Sequence, residues 1–68
     1  MEKIKKMESN YAIEVNGEFI HRVLEIPDAW PELEVKMGVF KYFSESYEIH
    51  DIEFKPNKII NIITKDGE

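Results

Sequence analysis

The chain has 68 residues, with 14 acidic and 9 basic side chains, no cysteine and a net charge of −5. A chain this short builds one small hydrophobic core and has no room for a second domain or a deep enclosed cavity. The lack of cysteine excludes disulfides and thiolate metal sites, and the acidic balance opposes non-specific nucleic-acid binding.

The two ends of the chain differ in composition from its middle. Residues 1–9 combine three lysines with two glutamates and show no apolar periodicity, so we predict a flexible basic segment there. A single domain is expected over residues 10–64, followed by a polar tail over 65–68. No apolar run approaches the roughly 20 residues that span a bilayer, and the first residues lack the apolar core of a signal peptide. The expected location is the cytoplasm, with no membrane contact.

The most specific local signal lies between residues 11 and 26. Asn16 and Gly17 separate two runs of alternating apolar and polar residues, which is typical of a hairpin with a type I′ turn and positive φ at both turn positions. This turn places Val15 opposite Glu18. The sequence therefore predicts a β-hairpin with a defined register.

The register also assigns the two faces of the hairpin. Continued without interruption, it pairs Tyr11 with Arg22. The predicted core face consists of Tyr11, Ile13, Val15, Ile20, Leu24 and Ile26. The opposite face consists of Ala12, Glu14, Phe19, His21, Val23 and Glu25, which is more apolar than a solvent-facing surface usually is.

A helix is predicted to begin after Pro31. Proline fits a first helical turn, and the acids Glu32 and Glu34 suit the positive end of the helix dipole. One stripe at spacings of three and four is expected to face the core: Leu33, Met37, Phe40, Phe43 and Tyr47. The opposite side would expose Val35, Val39 and Tyr42. Trp30 is expected to hold the start of the helix against the sheet.

A strand is the competing interpretation of residues 33–43, because apolar residues alternate at its beginning and Gly38 weakens a helix. The helix is preferred because the alternation slips at Val39 and Phe40, whereas the helical stripe continues to Tyr47. If the segment were a strand, the fold would be a small all-β barrel.

Two further strands are predicted in the C-terminal third. Residues 47–54 look extended, residues 55–58 form a turn around Pro56, and the strand at 59–64 has four isoleucines around Asn61. Such a strand is apolar on both sides, as a central or partner-covered strand would be. The predicted fold is therefore α+β with the order ββαββ: a four-stranded antiparallel sheet packed on one helix.

Chemistry-bearing motifs are scarce. His21 and His50 stand outside any metal-ligand spacing, and they could form a site with Glu14 or Asp51 only if their strands were neighbours. The chain has three glycines and no phosphate-binding or nucleophile motif. We therefore expect no enzymatic activity, no catalytic residue, no cofactor and no metal.

Surplus apolar surface is the main functional clue. The candidate partner-binding residues are Phe19, His21, Val23, Glu14 and Glu25 on the hairpin, and Val35, Val39 and Tyr42 on the helix. We therefore expect a small acidic protein-binding module, an inhibitor or adaptor that acts on a basic groove of a host protein, and a homodimer is a further expectation. The order of hairpin, helix and returning strand resembles that of many small accessory proteins, including phage-encoded inhibitors of host enzymes. This resemblance carries over no functional residue.

Two alternatives remain open from the sequence. One is an oligomer that sequesters a small molecule or nucleotide in a pocket between subunits, since one chain has little depth of its own. The other is a single-strand RNA binder that uses its aromatic residues for stacking, against which the acidic balance argues.

Overall fold

The computed structural model describes residues 7–66, which form four strands and one helix. The elements are β1 (Glu8–Val15), β2 (Glu18–Pro27), α1 (Glu32–Phe43), β3 (Ile49–Lys55) and β4 (Ile59–Thr64). The α+β class and the order ββαββ are confirmed, and the all-β alternative is excluded because α1 is helical. Strand β1 begins two residues before the predicted domain start. Residues 1–6 of the basic segment and 67–68 of the tail lie outside the described residues.

The four strands form one sheet in the order β2-β1-β4-β3. Each hairpin is antiparallel as predicted, but β1 and β4 run parallel, with Ala12 beside Ile59 and Val15 beside Ile62. The sheet is therefore mixed, which corrects the wholly antiparallel prediction. A hairpin turn fixes direction only within its own pair, whereas the direction between the two hairpins depends on the path of the helix connection. Strand β4 is central, as its isoleucines indicated.

The hydrophobic core lies between α1 and one face of the sheet, called here the inner face. Its buried residues are Ile13, Ile26, Val35, Val39, Phe43, Ile49, Ile52, Ile60 and Ile62. The predicted core face of the first hairpin is confirmed, because Ile13 and Ile26 are buried and its other four members pack against the cluster. Ile13, Ile60 and Ile62 are completely buried, so the centre of the core lies on β1 and β4.

The turn of the first hairpin is confirmed, with φ of 52° at Asn16 and 85° at Gly17. Beyond it the register differs from the prediction, since Tyr11 lies opposite Leu24 rather than Arg22. The cause is a bulge: between successive pairs the chain advances from residue 12 to 14 on β1 but from 19 to 23 on β2. A shift of two residues preserves the alternation of side chains, so the predicted faces survive.

The predicted buried stripe of α1 is wrong for Leu33, Met37 and Phe40, whereas Phe43 is buried and Tyr47 packs against the core as predicted. Val35, Val39 and Phe43 face the core, while Leu33, Met37 and Phe40 point to solvent. The inner face of the sheet is already filled by long isoleucine side chains. At positions 35 and 39 the short valine side chains let the helix approach this sheet closely, and the larger Phe43 packs at the end of the helix.

The start of the helix follows the sequence signals, with Glu32 and Glu34 in its first turn and Lys41 in its last. Trp30 lies along the helix beside Gly38, where an added Cβ would be 3.6 Å from the Cζ3 atom of the indole. The indole stays partly exposed, so it fastens the helix only in part. Among residues 7–66 no helix has the length and apolar character needed to cross a membrane.

Candidate functional site

The face of the sheet opposite α1, the outer face, is not covered by any other element among residues 7–66. Phe19 remains 44% exposed and Val23 53% exposed on this face. Phe19 lies beside Glu14 on β1, and Val23 lies beside Ala12. We define the outer sheet surface as Glu14, Phe19, His21, Val23 and Glu25, the five residues that the sequence indicated on the hairpin.

The bulge of β2 shapes this surface. His21 has a φ of 58°, in the left-handed region, and its ring lies 4.9 Å from the Phe19 ring between centroids. Such a bulge on an edge strand interrupts the row of free backbone groups and so discourages pairing with a further strand. This edge is therefore poorly suited to the addition of a further strand.

The outer sheet surface is acidic. The ammonium of Lys55 donates a hydrogen bond to Glu14 at 2.9 Å, and this contact raises the pKa of the lysine. Glu25 is exposed nearby. Of the described strand residues, Lys55 is the one lysine on this face, and it is paired with Glu14. Carboxylates with little compensating positive charge therefore surround the apolar pair Phe19 and Val23.

The hairpin that carries this surface is tied to β4 by two asparagines. Asn61, almost completely buried, accepts a hydrogen bond from the backbone N–H of Gly17 at 2.8 Å and donates one to Glu53 at 3.2 Å. The Asn16 side chain donates to the Thr64 hydroxyl at 3.0 Å and accepts from the Thr64 N–H at 3.1 Å. The turn is thus fastened to its neighbour, a contact that the Asn-Gly signal alone does not reveal.

A second exposed apolar surface lies on the helix. Leu33 is 67% exposed, Met37 61% and Phe40 48%, and their spacing of four and three residues aligns them in one row, called here the helix stripe. The sequence pattern identified this row but assigned it to the core. Glu34 and Lys41 flank the row on one side, since each directly follows a stripe residue along the helix.

On the other flank of the helix, Lys36 forms an ion pair with Asp51 of β3 at 3.4 Å. The Asp51 carboxylate also accepts a hydrogen bond from the Ile52 N–H at 2.8 Å. This backbone bond, with Lys36 as a second cause, lowers the pKa of Asp51. The pair links α1 to the edge of the sheet.

The predicted contact residues on the helix are not brought together as a surface. Val35 and Val39 belong to the core, which corrects their assignment to an exposed face. Tyr42 is exposed as predicted, and its hydroxyl accepts a hydrogen bond from Arg22 at 3.3 Å. The residues that sequence reasoning missed are therefore those of the helix stripe, which the inverted helix phase had hidden.

The two histidines lie far apart in the sheet. His21 is on β2 and His50 on β3, the opposite edge strands, so the two histidines cannot share one site with Glu14 or Asp51. Within residues 7–66, no three histidine or acidic side chains gather in an arrangement that could hold a metal ion.

An open cleft of about 370 Å³ lies beside the start of α1. Its walls are Tyr11, Trp30, Glu32, Val35, Phe54, Lys55 and Lys58. The Lys58 ammonium lies 5.7 Å from the centroid of the Tyr11 ring. The cleft contains both acidic and basic side chains. Among the described residues, every buried side-chain polar atom already has a hydrogen-bond partner, so none is left to bind a ligand. It is a weaker candidate than the two apolar surfaces.

The outer sheet surface and the helix stripe are thus the two strongest candidate sites among the described residues. Comparison with family models, with curated proteins and with solved structures gives no match to this chain. Exposed apolar patches framed by polar residues are typical of protein interaction sites.

Proposed function

We propose that this protein is a binding module that places its outer sheet surface in a basic, partly apolar groove of another protein and acts there as an inhibitor or adaptor. One observation carries the proposal: among residues 7–66, the exposed pair Phe19 and Val23 lies beside carboxylates, and the one strand lysine on this face, Lys55, is already paired with Glu14. Burial of the apolar pair supplies affinity. The unbalanced acids select a positively charged partner.

Charge also favours such a partner before contact is made. The net charge of −5 draws the molecule towards a basic groove and keeps copies of the outer sheet surface from docking on each other. A groove that normally binds phosphates, as in a nucleic-acid-handling enzyme, would accept the exposed carboxylate of Glu25 in place of a phosphate oxygen, while Glu14 stays paired with Lys55. Such an enzyme is the class of target that we propose.

The rigidity of the surface supports the same role. Phe19 and Val23 belong to a strand, the turn beside them is fastened to β4 through Asn61, and the Phe19 ring contacts His21. Side chains on a fixed scaffold lose little conformational entropy on binding. Most of the free energy of contact would therefore appear as affinity.

The test compares two double variants, each of which replaces two exposed apolar side chains. Proteins captured from the native host by the wild type would be purified, and their affinity measured by calorimetry at low and high salt. We expect Phe19→Ser with Val23→Ser to weaken binding by about 100-fold or more, as the loss of central contact residues does. Leu33→Ser with Met37→Ser, on the helix stripe, serves as the control and should bind as the wild type does.

Measured on dilute protein, where association between chains adds no stability, both variants should keep the thermal midpoint of the wild type, because all four side chains are exposed. The proposal is wrong if the partner still binds the Phe19 and Val23 variant, or if its affinity does not fall as salt rises. A collapse of the midpoint in that variant would show that the pair belongs to the core instead.

A further inference from the structure

From the helix stripe we infer that two copies of this chain associate through α1, with the two helices antiparallel about a two-fold axis near Gly38. This inference does not rest on the proposed function, since it concerns a different surface. The core-facing side of α1 is filled by Val35, Val39 and Phe43, so Leu33, Met37 and Phe40 are free for contact with another molecule.

The spacing of the stripe fits a helix partner. Residues at intervals of four and three form the seam by which two helices pack side by side, each side chain entering the gaps of the facing helix. In the antiparallel arrangement Met37 packs beside the partner's Phe40, and the partner's Met37 packs beside Phe40. The four large side chains form the centre of the contact.

The flanking charges indicate that the occupant is a second copy. In an antiparallel helix pair, one flank of the seam meets the same flank of the other helix. Glu34 and Lys41 occupy one flank, seven residues apart and on either side of the helix centre. The two-fold axis therefore brings Glu34 within reach of the partner's Lys41 and repeats that ion pair by symmetry. Association of two identical copies therefore pairs the one acid and the one base on this flank of each helix.

The helix dipole and the charges of α1 also favour an antiparallel pair. Acids occupy the first turn and a base the last, so antiparallel helices place the acidic start of each beside the basic end of the other. A parallel pair would instead align like ends. The helix surface carries Glu32, Glu34, Lys36 and Lys41, a balanced set, unlike the acidic outer sheet surface.

The dimer would leave the outer sheet surfaces free. The helix stripe lies on the side of α1 away from the sheet, and the outer face of the sheet lies on the side away from α1. Association through α1 therefore leaves two outer sheet surfaces pointing away from each other. Each copy contributes one helix of 12 residues, much less than the roughly 20–30 residues a side of a standard interface, so the dimer should form in a concentration-dependent way.

The test is sedimentation equilibrium on the full chain over a wide concentration range. Wild type should show a monomer–dimer equilibrium. Met37→Asp should be monomeric, and Val23→Asp, a similarly exposed apolar residue on the outer face, should dimerise as the wild type does. Circular dichroism of each variant checks that it is folded.

Charge reversal tests the antiparallel geometry with residues that do not touch the core. Glu34→Lys and Lys41→Glu each create two like-charged contacts and should each weaken the dimer by about tenfold. The double variant, and an equimolar mixture of the two single variants, should restore wild-type affinity. If the net charge of the chain controlled association instead, the Glu34→Lys variant would dimerise more tightly than the wild type, because this substitution makes the chain less negative.

Three results would overturn the inference. They are a wild type that stays monomeric at the highest concentration, a Met37→Asp variant that still dimerises, and charge reversals whose combination fails to restore association. None of these results bears on the outer sheet surface. A failure here therefore leaves the proposed function to its own test.

Discussion

The two faces of the sheet are built from the same strands and have opposite characters. On the inner face Ile13, Ile60 and Ile62 have no exposed surface. On the outer face the residues that alternate with them include Glu14 and Asn61, which bond to neighbouring polar groups. The inner face removes apolar surface from water, while the outer face satisfies its polar groups locally and leaves Phe19 exposed.

The contrast separates the face that stabilises the fold from the face that we propose binds a partner. In so small a domain almost all of the hydrophobic stabilisation must come from one face of the sheet and the helix that covers it. The other face can then expose an aromatic ring without loss of the fold. The most direct test of this separation is to compare matched substitutions on the inner and outer faces.

The largest effect is expected at the centre of the inner face. Ile62→Ala removes a completely buried side chain and leaves a cavity, so it should lower the free energy of unfolding by about 2–5 kcal/mol. Ile63→Ala, the next residue on β4, truncates a half-buried side chain of the outer face and should cost clearly less. Urea denaturation at one fixed protein concentration measures both.

The neighbouring pair is a matched comparison, because strand, residue type and substitution are identical. Equal losses for the two variants would show that the outer face is also covered in solution. That result would contradict the separation of roles and would make Ile63 part of an interface or of a second packed layer.

A smaller effect is expected from the polar network of the outer face. Asn61→Ala deletes the acceptor of the Gly17 N–H and the donor to Glu53, and it should cost about 1–3 kcal/mol, as the loss of buried hydrogen bonds does. Asn10→Ala, at an exposed position of β1, should be close to neutral. Amide hydrogen exchange would show faster exchange at Gly17 in the Asn61 variant only. Unchanged exchange there would mean that Asn61 does not hold the turn.

Much of the fold could be predicted because its signals are local. The Asn-Gly turn fixes its own backbone conformation, and the isoleucines on both sides of Asn61 indicated a central or partner-covered strand, of which the structure shows the central one. The side chains of the first hairpin alternate even across the bulge, so its faces could be assigned although its register past residue 14 could not. The parallel pairing of β1 with β4 depends on the helix connection, for which the sequence contains no comparable signal.

The phase of α1 could not be predicted because the helix is apolar on two sides. Leu33, Met37 and Phe40 have larger side chains than Val35 and Val39, and they form a longer apolar row at helical spacing. Periodicity alone therefore favours burying the larger set. The space above the inner face decides otherwise, and that space depends on isoleucines far away in the sequence. The helix stripe was therefore hidden by the same error that placed two core valines on a contact surface.

The smallest effect concerns the charge pair of the outer face. Glu14 raises the pKa of Lys55 in the folded state, so the pair contributes stability that is fully present below the ordinary lysine value of about 10.4 and is lost as pH rises through the raised pKa. Lys55→Gln should remove this contribution, so the thermal midpoints of variant and wild type should differ at neutral pH and converge at strongly alkaline pH. Lys65→Gln, at an exposed position after β4, is the control for loss of one positive charge and should show no such convergence. A constant difference between Lys55→Gln and wild type across the alkaline range would show that Lys55 contributes through the packing of its stem rather than its charge.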